Sequence, residues 1–241
     1  ACAIICDEDT AVELSRKSPH KPLRIWVAAG SHTLRPADRL HMQIPLLPNE
    51  TAEQYRDLGQ RFPGADRYPG FTSFLGARMA ALYAYGMTGV IDPSEDLDLL
   101  ELHDAFTISD VQTYEDIGVR PYGEGRDYVE SGDCYHTNPH TGGPGRLPSN
   151  ISGGLIGCTH AVGATGIMQA FEVATHIWNR WSEIHGDEAR WRAFRREKPA
   201  DWTDLQVKGA RRGMAISHAG VGSHVTATVL MDPDHLLEQG K

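Results

Sequence analysis

Three histidines stand where a loop meets a regular element. His103 follows Leu97-Asp98-Leu99-Leu100-Glu101-Leu102, and His160 lies in a run punctuated by Gly153, Gly154, Gly157, Gly163 and Gly166. His218 follows Met214-Ala215-Ile216-Ser217 and precedes Ala219-Gly220-Val221-Gly222. A neutral imidazole donates from one nitrogen and accepts at the other. Histidines gathered by converging loops therefore suit proton transfer and stabilisation of a developing oxyanion. Each also has a plain structural explanation: His160 as a solvated or core side chain, His103-Asp104 as a helix cap, His218 as a packing or capping residue of a hairpin. Their shared placement at junctions flanked by small residues points to one site.

The elements that must position them follow from periodicity. After Gly166, the residues Ile167, Ala170, Phe171, Ala174 and Trp178 recur at the three-and-four spacing of an amphipathic helix, with Thr165 as its expected N-cap. The glycines before it let backbone amides approach a ligand closely, and the positive helix end faces the same place. Leu97 to Leu102 reads as a strand that delivers His103-Asp104-Ala105-Phe106 at its carboxyl end, followed by a helix from about Thr107 to Ile117. Polar residues at that end of a strand are where α/β sheets place ligands. Met214 to Ser217 and Val225 to Leu230 form a hairpin with a glycine-bearing tip.

Upstream, Ile25 to Gly30 reads as a buried strand, and Phe74, Ala77, Ala81, Leu82 and Tyr85 as a helical stripe ending near Gly86. Ser31 to Arg67 and Gly118 to Pro148 are proline- and glycine-punctuated loops, and Arg180 to Asp204 a charged, solvated helix anchored by Trp181, Trp191 and Trp202. Ala1 to Cys6 is a continuous apolar run expected to be a strand buried on both faces, with its neighbours in another segment, and a short helix starts at Asp7. Strands alternating with helices make the fold class α/β.

The 241 residues are 40 % hydrophobic and 23 % charged, enough for a sizeable core. A formal net charge of −9 argues against a general binder of nucleic acid or anionic membranes. No apolar run approaches the roughly 18 residues of a membrane span. Cys2, Cys6, Cys134 and Cys158 have neither paired metal-ligand spacing nor the density of a disulfide scaffold. The expectation is a cytoplasmic protein without a metal.

The order HDAFT, YEDIG, GEG, LPSNISGGL, THAVGATGIMQAFE and a terminal HAGVGS hairpin resembles the thiolase superfamily, in particular its sterol-carrier-protein-type and archaeal-type acetyl-CoA acetyltransferases. The likeness covers nearly the whole chain and is strongest from Leu99 to Glu172. It implies a layered αβαβα fold, in which residues 1–20 are the tail of the N-terminal half and 21–241 the C-terminal half. It implies coenzyme A or acyl-CoA as substrate, with no permanently bound cofactor. Expected partners are the N-terminal thiolase half on the same or another chain, a homodimer or tetramer, and, as in some archaeal-type relatives, an OB-fold/zinc-ribbon protein.

Roles follow by position. His160 matches the histidine of the family's GHPxGATG loop, which helps activate the nucleophile and binds the thioester oxygen. His103 stands in the NEAF/HDAF loop that completes the oxyanion hole. Ser152, Gly153 and Gly154 match the SGG segment lining the pantetheine channel. The terminal hairpin corresponds to the CxG loop, where cysteine is the acid/base and the glycine, here Gly220, contributes an oxyanion amide. The cysteine is absent, and His218 or Ala219 takes its place according to a one-residue choice of register; His218 alone could move a proton. The GHP proline is Ala161. The family's nucleophile is a cysteine at a helix N-terminus of the first half, a context none of the four cysteines shares.

The expected activity is therefore acyl transfer: thiolysis of a 3-oxoacyl-CoA or the reverse Claisen condensation, with the chain alone inactive. The alternatives are a retro-aldolase acting on a CoA thioester, and a non-catalytic half-subunit that completes a partner's fold.

Overall fold

The computed structural model describes residues 2–18, 21–31, 43–61, 73–193, 196–220 and 222–234. A four-stranded mixed sheet has the order β1-β4-β3-β2, with β1 Arg24–Ser31, β2 Leu99–Glu101, β3 Arg212–Ala219 and β4 His224–Met231. β3 and β4 form the expected hairpin, closing at the pair Ala219↔His224, while β2 joins β3 in parallel. The helices are α1 Glu8–Lys17, α2 Ala52–Arg61, α3 Leu75–Thr88, α4 Pro93–Asp96, α5 Thr107–Asp116, α6 Gly125–Ser131, α7 Gly154–Gly157, α8 Thr165–Ile177, α9 Trp181–Gly186 and α10 Glu188–Ala193.

Alternation along the strands sends side chains to two helical layers. Ala28, Val225, Ala227, Val229, Met214 and Ile216 pack with Ala77, Ala80, Ala81 and Ala84 of α3. Leu99, Ala215 and Leu230 pack with Val173, Ala174 and Ile177 of α8. The alanine stripe of α3 lets the helix lie close: a Cβ at Gly30 would run into the backbone of Gly76 and Ala80. The chain is thus an α/β protein with helices on both faces of a sheet.

Several elements depart from expectation. Residues 2–6 are exposed and carry no strand; Ile4 is 94 % exposed, and no ladder partner meets the segment among the described residues. An apolar run becomes a strand only where a neighbour satisfies its amides and carbonyls. The helix after it does form, capped by the Asp7 carboxylate accepting from the Thr10 amide at 2.8 Å. β1 is buried on one face alone: Ala28 and Gly30 meet α3, whereas Ile25 and Val27 remain open because α8 covers β2 and β3 rather than β1. α3 continues past Gly86 and is closed by Gly89, which takes the left-handed conformation at φ 70°. Thr165 is not the cap but the first residue of α8, its hydroxyl donating to the Ala161 carbonyl at 3.0 Å.

The charged segment is two short helices, and Trp181 anchors them by stacking on His176, His185 and Trp202. The loop expected from Gly118 to Pro148 contains α6, and the one expected from Ser31 to Arg67 contains α2; residues 32–42 and 62–67 of the latter lie outside the described residues.

Candidate active site

β2 ends at Glu101, and the chain delivers His103 one residue after Leu102. Pro148 to Asn150 runs beside β2 on its free edge: Leu100 donates to the Pro148 carbonyl and Asn150 donates to the Leu100 carbonyl, both at 2.9 Å. The Asn150 side chain then turns the corner, its Oδ1 accepting from Leu102 N at 2.6 Å and its Nδ2 donating to Asp110 Oδ1 at 3.0 Å. Asn150 has φ 51°, a left-handed conformation that Asn tolerates better than most residues. The segment Ser152-Gly153-Gly154 is thereby laid against the end of β2.

Two acidic side chains grip that segment. Glu101 accepts from the Ser152 amide at 3.1 Å and from its hydroxyl at 2.7 Å. Asp104 accepts from Leu155 N at 2.6 Å, and a Cβ at Gly154 would run into the Asp104 carboxylate. Asp104 therefore does not cap α5, whose start at Phe106 has no side-chain cap. Burial pushes the Glu101 carboxyl up to about 8, aided by Glu172 and Asp104 and opposed by the two Ser152 bonds.

The three histidines converge. His103 and His160 meet edge to face with ring centroids 5.0 Å apart, and His103 stacks on His218 at 4.9 Å and 14°. His103 is buried, His218 partly buried, and His160 exposed on the loop before α8. His103 Nδ1 accepts from the backbone N–H of His218 at 3.2 Å. An accepting Nδ1 leaves the proton on Nε2, so His103 presents an N–H donor. Burial lowers the His103 pKa to about 4, with the neighbouring His160 adding to the effect; burial and His103 lower that of His218 to about 3. Both rings are neutral at pH 7, so each can donate from one nitrogen and accept at the other, and neither is a fixed cation.

Gly220 lies in the hairpin turn two residues beyond His218, with φ 61°. Cys158 is exposed, and Cys134 is buried. Burial raises the Cys134 thiol to about 11; burial and the carboxylates of Glu172 and Glu101 raise that of Cys158. Neither is poised as a thiolate nucleophile. Among the described residues, no group of three His, Cys, Asp or Glu side chains is placed to hold a metal ion, and no helix is long and apolar enough to cross a membrane.

Glu101, Asp104 and Asn150 are the site residues that the spacing of histidines and glycines did not single out. The signals for them were a lone acidic residue inside the apolar run 99–102 and an Asn preceding Ser-Gly-Gly.

The family described as "Thiolase C-terminal domain-like" matches residues 65–194, more than half of the chain. Sterol carrier protein 2 of Bos taurus is 41 % identical over 101 residues, which is 42 % of this chain and 17 % of that protein. Acetyl-CoA acetyltransferase of Methanothermobacter thermautotrophicus is 36 % identical over 127 residues, 53 % of this chain and 26 % of the enzyme. These matches thus span about a quarter or less of either relative's length. Among solved structures, the "Ltp2-ChsH2(DUF35) aldolase" superposes with a TM-score of 0.59 over 93 % of this chain and 43 % of that one, at 19 % identity, a likeness of fold.

Proposed function

Since the chain belongs to the thiolase C-terminal domain-like family of the thiolase superfamily, we propose that it supplies the C-terminal half of an acyl-CoA acyltransferase of the thiolase type. In this reading a cysteine thiolate, contributed by an N-terminal half on the same or another chain, attacks the thioester carbonyl of an acyl-CoA or, in thiolysis, the 3-oxo carbonyl of a 3-oxoacyl-CoA. The carbonyl π electrons move onto oxygen, and the tetrahedral intermediate collapses with expulsion of a coenzyme A thiolate or, in thiolysis, of an enolate. Acyl transfer to the acceptor then frees the cysteine.

The observation that carries the reading is the His103–His218 hydrogen bond, which leaves His103 with an Nε2–H donor beside His160. His103 and His160 would donate to the thioester oxygen. His218 would move the proton of the enolate or thiol step, and Gly220 would add a backbone donor. Ser152-Gly153-Gly154, gripped by Glu101 and Asp104, would line the pantetheine arm, with the amino-terminal end of α8 facing the same region. Retention of His103 and His160 favours acyl transfer over a retro-aldol cleavage.

Residues 21–241 would form the C-terminal domain and residues 1–20 the tail of the other half. The outward face of α8, with Ile167 and Phe171 about two-fifths exposed at i and i+4, is suited to packing against that half. Dimers or tetramers of the complete fold, an OB-fold/zinc-ribbon partner and a cytoplasmic location belong to the same reading.

The test is thiolysis of a 3-oxoacyl-CoA by this chain joined to or assembled with a half carrying the cysteine. Acyl transfer lost in His160→Ala but not in Cys158→Ala is the expected result. Absence of any acyl transfer, or activity indifferent to His160→Ala and His103→Ala, would overturn the assignment.

A further inference from the structure

His218 Nε2 is buried and has no hydrogen-bond partner among the described residues. A ring left free at that nitrogen is oriented by what packs against it. On one side that is His103, stacked at 4.9 Å. On the other it is the ring of Phe74, edge-on with centroids 4.8 Å apart and planes at 65°. Phe74 is also where the hairpin tip closes: Gly222 has φ 75°, and a Cβ there would run into the Phe74 ring.

Phe74 is itself held by an unusual arrangement. It is the residue before α3 and has no side-chain cap of its own. The cap comes from the far end of α5: Asp116 Oδ2 accepts the Phe74 amide at 2.6 Å, while Oδ1 accepts the Ser73 hydroxyl and, at 2.7 Å, the Tyr122 hydroxyl. Asp116 is completely buried. Its backbone is fixed in turn by Arg78, whose guanidinium donates to the Asp116 carbonyl at 3.3 Å and pairs with Glu50 and with the Pro45 carbonyl.

We propose that Asp116 is a positioning residue for His218, acting through Phe74. A carboxylate accepts at both oxygens and donates nowhere, so three donors from two segments can all align on it; an amide at the same place must turn a donor towards one of them. That alignment sets the direction in which Phe74 leaves the start of α3, and hence the wall against which the His218 ring rests. The inference rests on His218 as the proton-moving residue, but its geometric half stands apart from that role.

The experiment uses the intact, catalytically assembled protein with isotopically labelled histidine and phenylalanine. Asp116→Asn should weaken the nuclear Overhauser contact between the Phe74 and His218 rings and move the His218 ring signals. Phe74→Leu and Asp116→Asn should each lower kcat by about tenfold or more with KM for acyl-CoA nearly unchanged, since small misplacements of a reacting group are costly. Phe74→Tyr, which keeps the ring, should restore most of the turnover. Asp116→Asn should add little in the Phe74→Leu background, the sign of one shared path. Ser73→Ala, a milder loss of one Asp116 donor, should shift the His218 signals in the same direction.

Unchanged His218 signals in both Asp116→Asn and Ser73→Ala would overturn the proposal, as would strictly additive effects on kcat in the double variant. Should the assembled protein transfer no acyl group, the acyltransferase reading falls. The ring-contact measurement still decides whether Asp116 orients His218.

Discussion

His103 Nδ1 accepts the backbone N–H of His218 at 3.2 Å, tying the end of β2 to the β3–β4 hairpin across the sheet. One bond thereby fixes both the tautomer of His103 and the plane on which His218 stacks. Under the proposed function, each of His103→Ala and His160→Ala should lower turnover of the assembled protein about a hundred- to a thousandfold, or roughly 3–4 kcal/mol, as expected for loss of an oxyanion donor. Affinity for coenzyme A should change far less. Steady-state kinetics beside a binding titration separate the two, and equal losses in both would point to a binding role.

The sign of the pH dependence follows from the same burial. His103 and His218 have folded pKa values near 4 and 3, below the ordinary histidine value. The unfolded chain therefore binds more protons than the folded one between about pH 3 and 6.5, so stability rises with pH across that window and is lost on acidification. His218→Phe should remove this contribution, so that its melting temperature loses less, or gains more, than that of the parent protein as pH drops from 6.5 to 4. An ionisation of His218 near neutral pH, the expectation for a solvated imidazole, should be absent from the pH–rate profile.

Glu101 has the opposite sign. Its carboxyl is raised to about 8, chiefly by burial, so the folded state holds a proton that the unfolded state releases between roughly pH 4.5 and 8. Stability from this group is present below that window and lost as pH rises through it. Glu101→Gln should make the protein more resistant to heat at pH 8.5 while changing little at pH 5. A thermal scan at the two pH values, with no gain at the higher one, would count against a buried neutral Glu101.

Gly154→Ala should be strongly destabilising. The added Cβ meets the Asp104 carboxylate, and φ is 62°. Forced repacking costs about 1–3 kcal/mol and a left-handed backbone a further 1–2. Under the proposed function, coenzyme A affinity should drop as well, because the Ser152-Gly153-Gly154 wall must move. Retained affinity in Gly154→Ala, or in a variant with a bulky residue at Gly153, would remove this segment from the binding site.

Under the proposed function, Cys134→Ala and Cys158→Ala should each leave acyl transfer by the assembled protein unchanged, since both thiols are raised rather than activated. A burst of acyl-enzyme lost in Cys158→Ala would mean that the nucleophile is on this chain after all.

The α/β class, the β3–β4 hairpin, α8 and the placement of His103, His160 and His218 at junctions were legible in the chain because each rests on local patterning. Alternation marks a strand, a three-and-four apolar repeat marks a helix, and glycine marks a turn, whatever lies elsewhere. The order of motifs from His103 to Gly166 carried the family.

Other features were not local and could not be read so. Residues 2–6 have the composition of a buried strand, yet a strand exists only with a hydrogen-bonding neighbour, and sequence does not say where that neighbour is. β1 is as apolar as a central strand but is open on one face, because the reach of α8 is decided by packing. Glu101 and Asp104 look like solvated acids or a helix cap. Only the parallel run of 148–150 beside β2 brings the Ser152 and Leu155 amides within reach of their carboxylates. The neutrality of His103 and His218 is likewise a tertiary fact: it comes from stacking and burial between segments separated by more than a hundred residues, and no spacing along the chain encodes the water that is excluded there.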